Sequence, residues 1–257
     1  ADYRRVSMGT LAYPADVASN GSIVAVADRG NNRVLLYPAG FNATNADATV
    51  VLGQADGAAF IPNVDQVSPS RRTLSGPSAV AIDDDHLFVA DTENHRVLVW
   101  SPIPRSSGTP ATFVLGQLDF QRRRPNHGNG DSDGDGHSDA DGIGMFAPSG
   151  IATRGKRLYV ADRINHRILV WDDTRRIANA RPADHVLGQA TFGGNTANHG
   201  DGAYSVRLDG FNLSTGMALT DSELWVADSE NNRVVRWDLA GLDATDAIAR
   251  PVPTSMP

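Results

Sequence analysis

Val89-Ala90-Asp91-Thr92-Glu93-Asn94-His95-Arg96-Val97 decides the fold, because the chain contains this phrase in four versions. It returns as Val26-Ala27-Asp28-Arg29-Gly30-Asn31-Asn32-Arg33-Val34, as Val160-Ala161-Asp162-Arg163-Ile164-Asn165-His166-Arg167-Ile168, and as Val226-Ala227-Asp228-Ser229-Glu230-Asn231-Asn232-Arg233-Val234. The aspartates Asp28, Asp91, Asp162 and Asp228 are spaced by 63, 71 and 66 residues. Repetition on this scale sets the architecture ahead of local propensity, since each unit buries its apolar surface only against its neighbours.

Alignment on the aspartates brings out two further registers. Upstream lie Pro14-Ala15-Asp16-Val17-Ala18, Pro77-Ser78-Ala79-Val80-Ala81, Pro148-Ser149-Gly150-Ile151-Ala152 and Ser214-Thr215-Gly216-Met217-Ala218. Downstream, Val-Leu-Gly-Gln occurs at 51–54, 114–117 and 186–189. Each unit thus reads as four short β-rich runs separated by turn residues, which in the second unit are Ser78 to Ile82, His86 to Ala90, Arg96 to Trp100 and Thr112 to Leu115. Four short strands per repeat make the blade of a β-propeller. Small residues on the first strand (Ala15, Ala79, Gly150, Gly216) suit the crowded centre, and the aromatics ending the third (Tyr37, Trp100, Trp171, Trp237) suit packing between blades. The expectation is an all-β chain, one domain over residues 1–257, with four four-stranded blades. The fourth unit lacks Val-Leu-Gly-Gln, and its Ala249-Arg250-Pro251-Val252-Pro253 is a poor central strand. Arg5-Val6-Ser7-Met8-Gly9-Thr10 has the shape of the missing strand, so Arg4 to Gly9 is expected to complete the last blade and close the ring.

Composition removes several function classes. A net charge of −7 argues against a nucleic-acid partner, which requires a basic face. The chain has no cysteine, so disulfide and thiolate chemistry are absent. No apolar run approaches the roughly 18 residues of a membrane span, and the Ala-Asp-Tyr start does not read as a signal peptide.

The V-A-D-x-x-N-x-R core resembles the NHL repeat, named for Asn-His-Leu, with arginine here in the third place as in Asn94-His95-Arg96 and Asn165-His166-Arg167. The resemblance extends over the whole chain. It implies a β-propeller, most often of six blades, from which four units depart. It also implies a protein- or RNA-binding platform or an extracellular sensor domain. One enzyme branch resembles a zinc-dependent lyase that cleaves peptidyl-α-hydroxyglycine. Within the signature, four equivalent Asp/Arg pairs (Asp28/Arg33, Asp91/Arg96, Asp162/Arg167, Asp228/Arg233) read as hairpin pins with charge-assisted hydrogen bonds. The asparagines read as turn residues, and His95 and His166 as turn or surface histidines.

Function on a repeated scaffold sits where the repeats differ. Three long loops, Gln54 to Gly76, Gln117 to Ala147 and Gln189 to Leu213, leave the Val-Leu-Gly-Gln strands on one face. Each has an asparagine nine residues after its glutamine: Asn63, Asn126 and Asn198. Two continue with His127 and His199, while the third has Val64. These five polar residues, Asn63, Asn126, His127, Asn198 and His199, are the expected ligand contacts. The middle loop also runs Asp131-Ser132-Asp133-Gly134-Asp135-Gly136-His137-Ser138-Asp139-Ala140-Asp141-Gly142. Carboxylates at positions 1, 3, 5 and 9 around a glycine at 6 resemble the calcium loops of EF-hands and thrombospondin type 3 repeats. Gly142 stands where an EF-hand has its bidentate glutamate, and Asp141 is the nearest replacement. Asp131, Asp133, Asp135, Asp139 and Asp141 are therefore the expected ligands of Ca²⁺, with hard oxygen donors favouring calcium over zinc. The weak affinity expected without that glutamate suits a secreted or periplasmic protein.

Two readings follow. One is a non-catalytic scaffold that offers its loop face to a protein, peptide or glycan. The other is a metal-dependent lyase or lactone hydrolase with an axial site, using histidines or inward carboxylates such as Asp16. A His-based zinc site needs three converging histidines, and Val64 in the third loop weighs against it.

Overall fold

The computed structural model describes residues 5–40, 46–132, 134, 136, 138–240 and 254–255. It contains four antiparallel sheets in chain order. The first holds β1 (Pro14–Ser19), β2 (Ile23–Asp28), β3 (Arg33–Pro38) and β4 (Val50–Leu52). The second holds β5 (Pro77–Ile82), β6 (Leu87–Asp91), β7 (Arg96–Trp100) and β8 (Phe113–Leu115). The third holds β9 (Pro148–Arg154), β10 (Arg157–Asp162), β11 (Arg167–Trp171) and β12 (His185–Leu187). The fourth holds β13 (Ser214–Leu219), β14 (Glu223–Asp228), β15 (Arg233–Asp238) and β16 (Thr254–Ser255). The strands of the second unit lie within a residue or so of their expected limits.

The core lies between sheets rather than within them. Val34, Leu36 and Leu52 of the first sheet meet Val80, Val89, Leu98 and Trp100 of the second. Phe88, Val97 and Val99 of the second meet Ile151, Leu169 and Trp171 of the third. Tyr159, Ile168 and Val170 of the third meet Val226, Val235 and Trp237 of the fourth. The three tryptophans thus fill the gap to the preceding sheet, as large flat side chains between twisted sheets should. Strand alternation explains the rest, because odd and even positions of each strand face opposite neighbours and both faces are apolar.

The innermost strands carry a register shift near their start, as between Pro77 and Ala79, which lets Ser78 leave the ladder. Its hydroxyl donates 3.2 Å to the Ser149 carbonyl, and that of Ser149 donates 3.2 Å to the Ser214 carbonyl. The glycine of each Val-Leu-Gly-Gln is required. Gly53, Gly116 and Gly188 hold φ of +91°, +89° and +87°, and a Cβ on Gly53 would lie 2.5 Å from the Leu74 side chain of the next repeat.

The expected closure is corrected. Thr254 and Ser255 pair with Arg236 and Val235, so the fourth place in the last sheet is taken from the C-terminal side. No strand forms over residues 5–12. Ser7 and Thr10 instead present carbonyls to Arg33 at 2.8 and 2.7 Å, as Ser70 and Thr73 do to Arg96. The Ser-x-x-Thr spacing before the first innermost strand is therefore a repeat of a loop, not of an outer strand. β1 packs on β5, β5 on β9 and β9 on β13, but no comparable contact among the described residues joins β13 to β1.

Candidate functional site: the loop face and what holds it

The signature residues form one buried network, repeated four times. In the second unit, Asp91 Oδ2 accepts from Asn94 Nδ2 (2.8 Å) and Arg96 Nε (2.7 Å), and Oδ1 accepts from the Ser75 N–H (2.7 Å). The remaining Arg96 nitrogens donate to the carbonyls of Phe120, Ser70 and Thr73. One guanidinium thus ties the incoming and outgoing loops of its own blade to the hairpin, with Asp91, Asn94 and Arg96 all out of solvent. The same carboxylate–guanidinium bond recurs at 2.7 Å for Asp28/Arg33, Asp162/Arg167 and Asp228/Arg233. Four equivalent copies are architecture, as the sequence leads one to expect.

The residue between the signature Asn and Arg joins one repeat to the next, which sequence reasoning missed. His95 Nδ1 accepts from the Ala147 N–H, and His166 Nδ1 from the Leu213 N–H, both at 3.1 Å. In the first unit Asn32 does the same with its amide oxygen, accepting from the Gly76 N–H at 2.8 Å. His95 and His166 are turn residues as expected, with a further role between repeats. They do occupy the turn, with φ of 53° and 52°, but their rings staple blades together. The signal was available in the sequence: only His or Asn stands there, and both carry a hydrogen-bond acceptor on the atom bonded to Cγ. Burial pushes both rings down to about 4, against an opposing pull from Glu93 on His95 and from Asp228 on His166. A neutral imidazole is what an Nδ1 acceptor requires.

The expectation for the loop asparagines is corrected. Asn63, Asn126 and Asn198 are buried, and each exchanges amide hydrogen bonds with the signature asparagine of the following repeat. Asn63 and Asn94 bond at 3.0 and 2.8 Å, Asn126 and Asn165 at 3.2 and 2.7 Å, and Asn198 and Asn231 at 3.4 and 2.8 Å. Their recurrence nine residues after each glutamine reflects this pairing, which leaves no amide facing a ligand. The glutamines act alike, Gln54 bridging the carbonyls of Asn32 and Ile61 at 2.9 Å each.

His127 and His199 sit next to these asparagines at φ of 48° and 64° and are only slightly exposed. His127 Nε2 lies 2.9 Å from Asp141 Oδ2, while His199 Nδ1 is 3.8 Å from Asp209 Oδ2. The two histidines occupy equivalent places in separate loops, so each has its own carboxylate. Asp141 Oδ1 meanwhile accepts from the N–H groups of Ile143 (2.8 Å) and Gly144 (2.6 Å). Burial would raise its pKa, but the Gly144 N–H, His127 and the Ile143 N–H outweigh it and hold the carboxyl below the usual range. With these bonds Asp141 closes the base of the Asp-rich loop.

Within the loop, Asp131 accepts from the N–H groups of Gly134 (2.9 Å) and Gly136 (3.1 Å), and Asp139 from the Ser132 N–H (3.1 Å). Asp133 and Asp135 lie outside the described residues. Among the described residues, no three His, Asp or Glu side chains gather as a metal-binding group.

The innermost strands border a channel of about 810 Å³. Its one ionisable side chain among the described residues is Asp16. Burial raises the Asp16 carboxyl, against the N–H groups of Val80 and Val17. Asp16 Oδ2 is bonded to the Val80 N–H at 3.0 Å, so this carboxylate too joins two repeats.

The loops of this face also expose large apolar side chains. Phe60, Ile61 and Val67 of the first long loop, Leu118 of the second, and Tyr204, Val206 and Leu208 of the third are exposed large hydrophobic residues. Among the described residues, the only others of this kind are Leu11, Tyr13, Val17 and Val234, at the two ends of the array.

Comparison with solved structures returns propellers at low identity. A hydrazine synthase structure from Kuenenia stuttgartiensis aligns with a TM-score of 0.51 at 14% identity, covering 100% of this chain and 51% of that one. A streptogramin B lyase structure gives 0.49 at 8% identity, covering 99% and 56%. The WD40 repeats of RRP9 give 0.49 at 12%, covering 98% and 53%. The chain thus spans about half the length of each of these three. A comparison with curated proteins finds no match. The NHL repeat model matches residues 74–100, from Leu74 through the Asp91–Asn94–Arg96 network to Trp100. No helix among the described residues is long and apolar enough to cross a membrane. Residues 74–100 are therefore an NHL repeat, the unit from which β-propellers are built, and the same network recurs at the other three positions of this chain.

Proposed function

We propose that the chain is a binding propeller whose loop face docks a protein or peptide through its apolar loop residues. One observation carries this reading. Phe60, Ile61, Val67, Leu118, Tyr204, Val206 and Leu208 belong to the three long loops and remain in solvent, although each loop is anchored by buried asparagine and glutamine bonds. Scattered single apolar residues need no explanation, but a set confined to one face marks an interaction surface. Aromatic and aliphatic anchors on rigid loops are what dominate interface energetics.

The loop residues 131–141 are proposed as a calcium site held by Asp131, Asp133, Asp135 and Asp139, with Asp141 a weaker ligand, with weak affinity and hence a place in a calcium-rich secreted or periplasmic setting. Supporting this, the Asp131 carboxylate already curls the loop back onto the glycines at its fourth and sixth positions. Calorimetric titration with calcium chloride should give a dissociation constant of roughly 10⁻⁴ to 10⁻³ M, abolished in Asp131→Asn/Asp139→Asn. Absence of heat in the parent protein rejects the site.

The binding reading is tested with a phage-displayed random peptide library selected on the chain. Selected peptides should lose at least tenfold in affinity for Phe60→Ser/Tyr204→Ser/Leu208→Ser, with the melting temperature unchanged. Equal affinity for that variant removes the loop face as the docking site. Turnover of a lactone, ester or peptidyl-hydroxyglycine by the parent chain that vanishes in His127→Ala or His199→Ala would promote the enzyme reading instead.

A further inference from the structure

The remaining exposed apolar residues sit at the two ends of the array, and they match the halves of an interface that the chain builds three times internally. Leu11 is the counterpart of Leu74, Met145 and Phe211, which are fully buried, yet Leu11 is 40% exposed. Val17 corresponds to Val80 and Ile151, both buried, and is 63% exposed. At the other end Val234 corresponds to Val97 and Ile168, both fully buried, and is 42% exposed.

The hydrogen-bonding halves are unmatched in the same way. Each internal junction pairs an acceptor in the signature turn (Asn32, His95, His166) with the N–H of a residue held at positive φ (Gly76, Ala147, Leu213). Asn232 has the acceptor's conformation, φ 52°, and Tyr13 the donor's, φ 48°. Among the described residues neither makes that bond. Holding a non-glycine residue at positive φ costs of order 1 kcal/mol, so Tyr13 is shaped for a contact that one copy of the chain leaves unmade. Asn31 is likewise the one signature asparagine with no preceding loop asparagine facing it.

We infer that two copies of this chain join head to tail, the Asn232–Val234 end of each seating the Leu11–Tyr13–Val17 end of the other, to complete one ring of eight repeats. The complementarity is not generic stickiness, since it continues the junction already made three times within the chain. A head-to-tail contact closes when its rotation brings the ends together and otherwise grows into a filament. Here β1 and β13 border the same channel, so the array bends around a common axis, and closure with a second copy is the outcome inferred over a filament. The last sheet also differs from the others at this junction. Trp225 and Arg236 stand where the other sheets have Ala25 and Leu36, Phe88 and Val99, or Tyr159 and Val170. Glu223 binds both, at 3.1 and 2.7 Å. A polar rim of this kind suits a junction between separate chains, which must stay soluble before they meet.

Sedimentation equilibrium on the whole chain tests this. The expected mass is twice the 27.3 kDa of one chain. Val17→Asp and Val234→Asp should each yield monomers with the parent's melting temperature, because both side chains are exposed in a single copy. Asn232→Ala should weaken pairing at least tenfold. An equimolar mixture of Val17→Asp and Val234→Asp should regain pairs, since one of the two junctions is then native. A monomeric parent, a larger polymer, a pair that survives either aspartate, or a mixture that stays monomeric overturns the inference.

Discussion

Replacing both stapling histidines by asparagine isolates the bond that joins one repeat to the next. His95 and His166 accept backbone N–H groups through neutral Nδ1 atoms, and burial holds their pKa values near 4 against an ordinary value of 6.5. Between those values the unfolded chain binds more protons than the folded one, so stability rises with pH and is lost as pH falls below 6.5. At pH 5 the linkage amounts to at most about 2 kcal/mol per ring, or about 4 kcal/mol for both, relative to neutral pH. That is a large share of the 5–15 kcal/mol typical of folded domains. The perturbation is His95→Asn/His166→Asn, because Asn32 makes the equivalent bond with an amide that does not titrate. The assay is urea unfolding of parent and variant at pH 7 and pH 5. The two should be similar at pH 7, and the parent should lose more than the variant on acidification, by up to about 4 kcal/mol. The pairs His86–Asp83, His127–Asp141 and His185–Asp172 are common to both proteins and cancel in the comparison. Equal losses in parent and variant would refute the stapling role.

Three further outcomes follow from the network. Arg96→Met leaves Asp91 buried without its cation and should cost about 3–5 kcal/mol, measured by chemical unfolding. Gly53→Ala forces an L-residue to φ +91° with its Cβ against Leu74, and should destabilise by about 1–3 kcal/mol, with part of the loss recovered in a Leu74→Ala background. Asn126→Ala strands the Asn165 amide and should cost about 1–3 kcal/mol while leaving peptide affinity unchanged, and a double-mutant cycle with Asn165→Ala should show strong non-additivity.

The repeat was legible because its cause is periodic. Each strand needs the same apolar alternation and each hairpin the same Asp–Asn–Arg network, so sheets, strand limits and inter-sheet tryptophans could be read from spacing. Closure was not legible, because Arg5 to Thr10 resembles an outer strand in composition while the Ser7 and Thr10 carbonyls accept hydrogen bonds from Arg33, a role that leaves no alternation to read. The loop asparagines misled for a related reason. Polar residues at matched offsets in long loops look like ligand contacts, yet the offset itself is the mark of pairing across repeats, as Asn63 with Asn94 shows. The apolar residues of the same loops carry no period, so Phe60, Tyr204 and Leu208 stand out only once their exposure is known.

Hydrogen–deuterium exchange of the chain with and without a library-selected peptide tests the docking claim most directly. Amides in loops 54–76, 117–147 and 189–213 should gain protection around Phe60, Leu118 and Tyr204, with β5 and β9 unchanged. Protection confined to the channel-lining strands, with the loops unaffected, would contradict the account and place binding on the axis.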